Sequence, residues 1–536
     1  MMSNTPSFNG KALSTGVSCR SDIISGIQKV ADAVSVTLGP KGRTVILDQP
    51  YGPARITKDG VSVAKAIEFS DKTLNAGAKI AKGVASKIND NSGDGTTTAT
   101  CLLRKVVMEG VQAVNTGLPT PDLLSGINTA KKVVIDEIVK QSKPITKSEV
   151  VSVARVSANN DEKIGSMIGD IFSKIGKDGA VDIETGKAVK DRISVVEGMV
   201  LDQGYLSRYF TTDDKNTKVD IHNGDVIVCD AKLETSQQVV PLLQMCVKRK
   251  RPLIIIADTI DGDALTTLVL NKLRGLPVAA VRAPGFGETR KGILQDIGII
   301  TGATVISNDT GNNTEKITES QLGKCGHFVS NQDESVITGG AGKKSDVLQR
   351  VDELREALRK SESLYEKEKL QGRIARLTGG VAVISVGGSS EAEVGERKDR
   401  IEDAVCAVKA ALSEGIVPGG GVALIKAGSQ LDKLRTKNWA EKVGVEIIKK
   451  CTEEPARIIA RNAGMDGGVV VQKIREGKKG FGFDMRSGNF VDMMQMGIVD
   501  PTKVVRSAFD EAVSVGALVA TSDVLVTDEK GEVKKD

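Results

Sequence analysis

Between Gly93 and Thr98 the chain reads GDGTTT, an aspartate held between two glycines and followed by three threonines that run straight into an apolar segment. Threonine is a mediocre helix former, so three of them at a helix start imply that their hydroxyls and amides have a task. A helix N-terminus exposes unpaired amides and the positive end of the macrodipole, and so attracts anions. Glycine lets the backbone approach a ligand closely, and threonine hydroxyls can hydrogen-bond phosphate oxygens. An acid beside such a site makes sense when a cation bridges it to the phosphate. Asp94 would then be one oxygen ligand of Mg²⁺, which typically takes one or two carboxylates plus phosphate oxygens. No GKS or GKT follows the glycines, so this is not a Walker A loop. On these residues alone, phosphate binding and an ordinary capped helix both stay open. Three more glycine turns, TLGPKGR (Thr37–Arg43), TKDG (Thr57–Gly60) and PGGGVAL (Pro418–Leu424), are weak signals singly and more specific together.

Other chemistry is scarce. The two histidines, His222 and His327, fall in separate polar turns, which nearly excludes a Ser-His-Asp triad or a histidine-rich metal site. Seven scattered cysteines without a CxxC fit a reducing compartment and no disulfide framework. Cys101 and Cys406 lie in apolar helical patterns and read as small buried hydrophobes. With 74 basic and 69 acidic residues the net charge is only +5, which argues against a dedicated nucleic-acid binder. The basic run KRKR, Lys248–Arg251, reads as a solvated helix end before a strand. No apolar run approaches the roughly 18–20 residues needed to span a bilayer. The first twenty residues carry no acid, several serines, Lys11 and Arg20, which suits either a short organelle-targeting segment or a disordered tail.

These residues need elements to position them. A chain of 536 residues predicts about three domains. Hydrophobic residues make up 40% and aromatics 3%, with Trp439 the one tryptophan, so the cores must be aliphatic. Helical spacing of Ile23, Ile24, Ile27, Val30, Ala31 and Val34 predicts a first helix, followed by the glycine turn and a short buried strand, Thr44–Asp48. Helices are expected at about 61–68, 73–90, 96–116 and 121–141. From about 195 to 340 short apolar runs (DVIVCD, PLIIIAD, PVAAVRAP, GATVIS) alternate with helical segments, as in a βα-type domain with a largely buried sheet. A charged helix pair follows at about 344–377, with Val347, Val351, Leu354 and Leu358 as one narrow stripe. GGVAVISVGG then reads as a strand, and the chain is helical again from Lys398. The helical, mixed, helical order suggests one domain built from both ends with another inserted, and Gly198 and Gly380 as hinges.

The ordered motifs VTLGPKGR, TKDGVSVAKAIE, GDGTTTAT, VVEGM, GYLSRYF, APGFG, LTGGVAVISVG, EGIVPGGGVAL and GIVDPTKV closely resemble the group I chaperonins, the 60-kDa family with bacterial (GroEL-like) and mitochondrial members. The resemblance runs from about residue 8 to 526. It implies a multidomain α+β, ring-forming fold: a helical equatorial ATP-binding domain (1–140 and 414–536), a small intermediate hinge domain (141–196 and 382–413) and an α/β apical domain (197–381). It also implies seven-membered rings, often back to back, a 10-kDa-class co-chaperonin, and unfolded polypeptides as substrates. Neither nucleic acid nor membrane insertion is implied.

By this resemblance Thr37, Leu38, Gly39 and Pro40 line the phosphate and ribose side of ATP, and Asp94 holds Mg²⁺. Gly95, Thr96, Thr97 and Thr98 cradle the phosphates, with Thr97 and the carbonyls of Thr37 and Lys58 near K⁺. Gly420 and Asp500 meet the ribose and base region, next to the adenine-side segment Asp484, Met485 and Arg486. Asp403 orients or deprotonates the attacking water and Asp59 assists. Without the resemblance, Asp403 reads as a solvated helix-surface acid. Substrate would meet Tyr205, Tyr209, Phe210, Val240, Leu243, Leu265, Val269 and Leu270. Spacing alone puts the helical stripe of Leu265, Leu268, Val269 and Leu273 in a core. Arg208 stands between the tyrosines where the family has proline, and Ser413 where it prefers an acid or amide. The tail EKGEVKKD lacks the Gly-Gly-Met repeats of many bacterial members. With the acid-poor start, this points to the matrix of a mitochondrion or related organelle, with the cytoplasm as the alternative. The leading function is an ATP-driven folding chamber; the other readings are a ring-shaped holdase with little turnover and, less well supported, a metabolic ATPase or kinase.

Overall fold

A computed structural model describes residues 11–48, 54–176, 180–185, 190–196, 198–213, 217–307, 317–361, 363–378 and 381–528. Gly380, the first ten residues of the acid-poor start and the EKGEVKKD tail lie outside the described residues. The chain divides into two compact units, Met1–Asp170 with Ser389–Asp536, and Ile171–Gly388. The described residues combine helices with several sheets, a multidomain α+β fold.

The first unit is helical. Helices Gly16–Ser35, Lys72–Ser92, Thr96–Asn115, Thr120–Gln141, Trp439–Asn462 and Thr502–Ala520 bury one aliphatic core that includes Ile27, Leu102, Leu123, Ile127, Ile138 and Phe509. The first two cross at bare backbone: a Cβ on Gly26 would meet the Leu74 carbonyl at 2.1 Å, and one on Gly77 the Ile23 carbonyl at 2.2 Å. Helix Lys72–Ser92 starts where Asp71 accepts from the amides of Thr73 (2.9 Å) and Leu74 (3.0 Å), an N-cap that satisfies two otherwise orphan donors. It stops at Gly93, whose amide closes on the Asn89 carbonyl at 2.9 Å. Short antiparallel pairs fasten this unit: Lys11–Thr15 with Val524–Asp528, Val45–Leu47 with Arg55–Thr57, Ile416–Pro418 with Val499–Pro501, and Phe481–Asp484 with Asn489–Asp492. The strand expected to be buried at Thr44–Asp48 is instead half of a two-stranded hairpin, with Ile46 70% exposed. Two strands alone cannot cover both faces.

The second unit holds a seven-stranded mixed sheet. Strands Val219–Leu233, Leu253–Ile260 and Val278–Arg282 run parallel, joined by helices Ser236–Arg249 and Gly262–Leu273. Gly323–Ser330, Ser335–Thr338 and Gly198–Leu201 extend it antiparallel. The parallel strands are apolar runs because helices cover them. A second sheet has three strands, Ala180–Thr185, Val381–Val386 and Arg192–Val196. Helix Lys344–Lys360 buries Val351 and Leu354 of its stripe and leaves Val347 and Leu358 half-buried.

The basic run KRKR ends helix Ser236–Arg249 before strand Leu253–Ile260 as expected, but only Lys248 and Lys250 are exposed, because Arg249 and Arg251 turn to Asp225. Arg249 pairs with buried Asp225 at 2.6 Å and with Glu319 at 3.0 Å, and Lys248 reaches Glu319 at 2.9 Å. The histidines depart from expectation. They do not lie in separate turns: His222 and His327 are register partners on adjacent strands, and their rings stack at 4.1 Å with 3° between planes. The Asn223-Gly224 turn signal is overridden because strand Val219–Leu233 continues through it along its partner, with Asn223 at φ 53°.

Candidate functional site

The glycine turns of the first unit converge. Every residue expected at the nucleotide (Thr37, Leu38, Gly39, Pro40, Lys58, Asp94, Gly95, Thr96, Thr97, Thr98, Gly420, Asp484, Met485, Arg486 and Asp500) lines one cavity of about 660 Å³, together with Asp59 and Asp403.

The cavity floor is the start of helix Thr96–Asn115. Its N-cap, Gly95, has φ 88°, a left-handed conformation that disfavours any side chain, and a Cβ there would sit 2.6 Å from Val504 Cγ1. The threonines at this N-terminus face the first glycine turn, with the hydroxyls of Thr97 and Thr37 at 3.4 Å. Asn462 holds that turn by donating to the carbonyls of Ser35 (2.8 Å) and Leu38 (2.9 Å). Asp59 caps helix Gly60–Ala66, accepting from the amides of Val61 (3.1 Å) and Ser62 (3.0 Å). Asp500 enters beside Gly420 on the Ile416–Pro418/Val499–Pro501 pair.

Carboxylates crowd this space. Burial pushes the Asp94 carboxyl up and Asp59 adds repulsion, against hydrogen bonds from Ser157 and the Gly95 amide. Burial and then Asp94 push Asp500 up to about 7, eased by the Gly420 amide. Carboxylate oxygens gathered beside a phosphate-type helix terminus are the donor set of a hard cation, so these residues fit Mg²⁺ with a phosphate ligand.

The opposite wall is helix Glu391–Glu414, which carries Asp403. One turn earlier, Asp399 pairs with Arg55 of the Arg55–Thr57 strand at 2.7 Å, and Arg400 with Asp161 at 3.3 Å. These two ion pairs set how the helix faces the cavity. On the remaining side Ile459, Phe483, Met485, Met493 and Ile498 form an apolar cluster against the cavity. Asp484 turns back to accept from the amides of Arg486 (2.9 Å) and Ser487 (3.3 Å), and Arg486 is exposed. Sequence reasoning missed Ser157, Asp399 and Arg400, which carry no local signal. It also missed Asn159 and Asn160, whose left-handed φ of 55° and 64° an Asn-Asn pair could have flagged.

The expected apolar surface lies in the second unit. Helices Ser236–Arg249 and Gly262–Leu273 pack side by side, and the turn Arg208–Phe210 packs on the second. Tyr209 is 64% exposed, Leu270 49% and Val240 38%. Tyr205, Leu265 and Val269 are half-buried against the core. Phe210 and Leu243 are buried core side chains, as Leu268 is, and offer no surface to a chain docked from outside. Leu273, 63% exposed, extends the patch instead of filling a core.

The comparisons agree on one family. Residues 30–530 match the TCP-1/cpn60 chaperonin family. The chain is 45% identical over 524 residues to the mitochondrial chaperonin CPN60-1 of Cucurbita maxima, covering 97% of this chain and 91% of that protein. It is 44% identical over 530 residues to the mitochondrial chaperonin CPN60 of Arabidopsis thaliana, covering 98% and 92%. Among solved structures it is similar to the chaperonin gp146 of bacteriophage EL (Pseudomonas aeruginosa), crystallised in the presence of ATP-BeFx, with a TM-score of 0.68, 21% identity, and 97% and 99% of the two chains covered. That likeness concerns fold alone. With a family match across nearly its whole length, and relatives at this identity, the chain belongs to the TCP-1/cpn60 chaperonins.

Proposed function

We propose that this chaperonin is an ATP-driven folding chamber, with Mg-ATP held in the cavity of the first unit. The observation that carries the reading is convergence: residues from Thr37 to Asp500, scattered over the chain, meet at one helix N-terminus with carboxylates around it. The amides and hydroxyls of Thr96, Thr97 and Thr98 grip the phosphates. Asp94 holds Mg²⁺, which supplies charge neutralisation. Thr97 and the carbonyls of Thr37 and Lys58 suit K⁺. Asp403 orients the attacking water and takes its proton, and Asp59 supports it from the cap of its own helix. Phosphoryl transfer needs positioning and charge neutralisation more than covalent chemistry: the helix terminus and the side chains around it would give the first, and the Mg²⁺ they hold the second. The Phe483, Met485 and Met493 side suits the base, with Asp484, Arg486, Gly420 and Asp500 at its margin.

In the same reading, residues 1–140 and 414–536 form an equatorial domain, 141–196 and 382–413 an intermediate domain, and 197–381 an apical domain. Tyr209, Val240 and Leu270, flanked by Tyr205, Leu265 and Val269, capture unfolded chains by their exposed apolar surface. A 10-kDa-class co-chaperonin competes for that surface and closes a seven-membered ring over the substrate. The mitochondrial relatives support the matrix of a mitochondrion or related organelle as the place of action.

The test dilutes a denatured, aggregation-prone enzyme into the purified protein, with and without ATP and a co-chaperonin. Activity should return only with both. Recovery that needs neither would reject the chamber; suppression of aggregation without any nucleotide dependence would favour a holdase.

A further inference from the structure

The histidines carry the next inference. They are the only two in 536 residues, yet the fold of the second unit stacks them on adjacent strands and surrounds them with carboxylates. Asp220 Oδ1 lies 2.8 Å from His327 Nε2 and 3.3 Å from His222 Nε2. The ligand atoms of Asp220, His222 and His327 all fall within 4.8 Å of one another. The far nitrogen of His327, Nδ1, lies 2.6 Å from Oδ2 of buried Asp182.

We propose that Asp220, His222 and His327 form a binding site for a zinc-class divalent cation, with Asp182 as its outer anchor. Two imidazoles, one carboxylate and an open fourth position are a familiar ligand set for Zn²⁺. A ligating histidine almost always gives its other ring N–H to a carboxylate, which fixes its tautomer and orientation. Asp182 is placed to accept that proton. His327 and Asp182 are buried and rigidly held, whereas the His222 side chain is 59% exposed. His222 is therefore the arm that can tilt to reach Zn–N distances of about 2.0–2.1 Å. Without metal, burial acts to lower the His327 pKa, but hydrogen bonds to Asp182 and Asp220 carry it up to about 9. The cation has to displace that proton, as metal binding to histidine generally does. Asp182 sits on the three-stranded sheet and the other three residues on the seven-stranded sheet. Zn²⁺ would thus tie two sheets together. The proposal stands independently of the ATP reading.

The experiment strips the full chain with a chelator, removes the chelator, and titrates ZnCl₂ alone by calorimetry in the absence of nucleotide. One Zn²⁺ per chain should bind, and melting temperature should rise on loading. His222→Gln and Asp220→Asn, at exposed or half-exposed positions, should keep the circular dichroism spectrum and weaken uptake more than tenfold. Asp182→Asn should weaken it about 10–100-fold, the usual effect of losing an outer partner. Co²⁺ substitution should give a spectrum free of thiolate charge transfer, since no cysteine belongs to the site. Absence of stoichiometric uptake, uptake unchanged in both folded variants, or a thiolate band in the cobalt spectrum would each overturn the assignment.

Discussion

At the scale of single residues, the cavity separates groups that hold from groups that act. Asp59 accepts from two backbone amides and a serine hydroxyl of its own helix, and these bonds fix where its carboxylate stands in the wall. Burial raises the cost of ionising both Asp94 and Asp500; Asp59 adds to it at Asp94, and Asp94 adds to it at Asp500. Asp403 sits on a different helix, aimed by the Arg55–Asp399 and Arg400–Asp161 pairs. A positioned general base contributes typically about 10²–10⁴-fold. Asp403→Ala should therefore lower single-turnover phosphate release by that order while leaving ATP binding within about threefold of the parent. Full retained turnover would remove Asp403 from the base role.

At the scale of elements, the two helices of the exposed apolar patch divide their labour by face. Helix Ser236–Arg249 buries Val239, Leu242, Leu243 and Cys246 and turns Val240 outward. Helix Gly262–Leu273 buries Ala264 and Leu268 and leaves Leu270 and Leu273 out. The exposed positions of the two helices, with Tyr209 beside them, make the apolar patch. A charge there costs the fold little, because Tyr209 is not part of the core. Tyr209→Glu should abolish capture of a denatured chain, read as aggregation by light scattering, and leave basal ATPase unchanged. Undiminished capture would assign the patch elsewhere. Phe210→Ala, by contrast, removes a fully buried side chain and belongs with core deletions, which cost about 3–5 kcal/mol.

At the scale of the whole molecule, the helical unit exists only because both ends of the chain fold together. Arg104, in the middle of its helix, reaches Asp32 at 2.6 Å and Glu454 at 2.9 Å, joining residues from helices Gly16–Ser35, Thr96–Asn115 and Trp439–Asn462. Burial works against its charge, and the anions around it raise its pKa in spite of that. The Glu454 side chain is only 8% exposed, so deleting its partner strands a buried charge. Arg104→Ala should cost about 3–5 kcal/mol, visible as an earlier denaturant midpoint for the helical unit. The pair Arg104→Leu with Glu454→Leu should recover most of that loss, because the desolvation penalty leaves with both charges. A single variant with an unshifted midpoint would show the network to be dispensable.

Much of this was legible in the residues themselves, where local physics decides. Helices expected at about 73–90, 96–116 and 121–141 appear as Lys72–Ser92, Thr96–Asn115 and Thr120–Gln141, because caps, glycine stops and apolar periodicity act within one turn of the chain. The helix start at GDGTTT is equally local, since Gly95 takes the left-handed cap and the amides of the first turn are left without helical partners. Contacts between distant segments were not legible. No spacing rule brings Ser157 to Asp94 or Arg55 to Asp399, or buries Phe210 while leaving Tyr209 beside it exposed. The histidines mark the limit most clearly: by sequence they lie 105 residues apart beside turn-forming neighbours, yet strand pairing stacks them and the packing of a second sheet brings Asp182 to them. Periodicity and capping are written into neighbouring residues, whereas which surfaces meet is decided only when the buried faces close on one another.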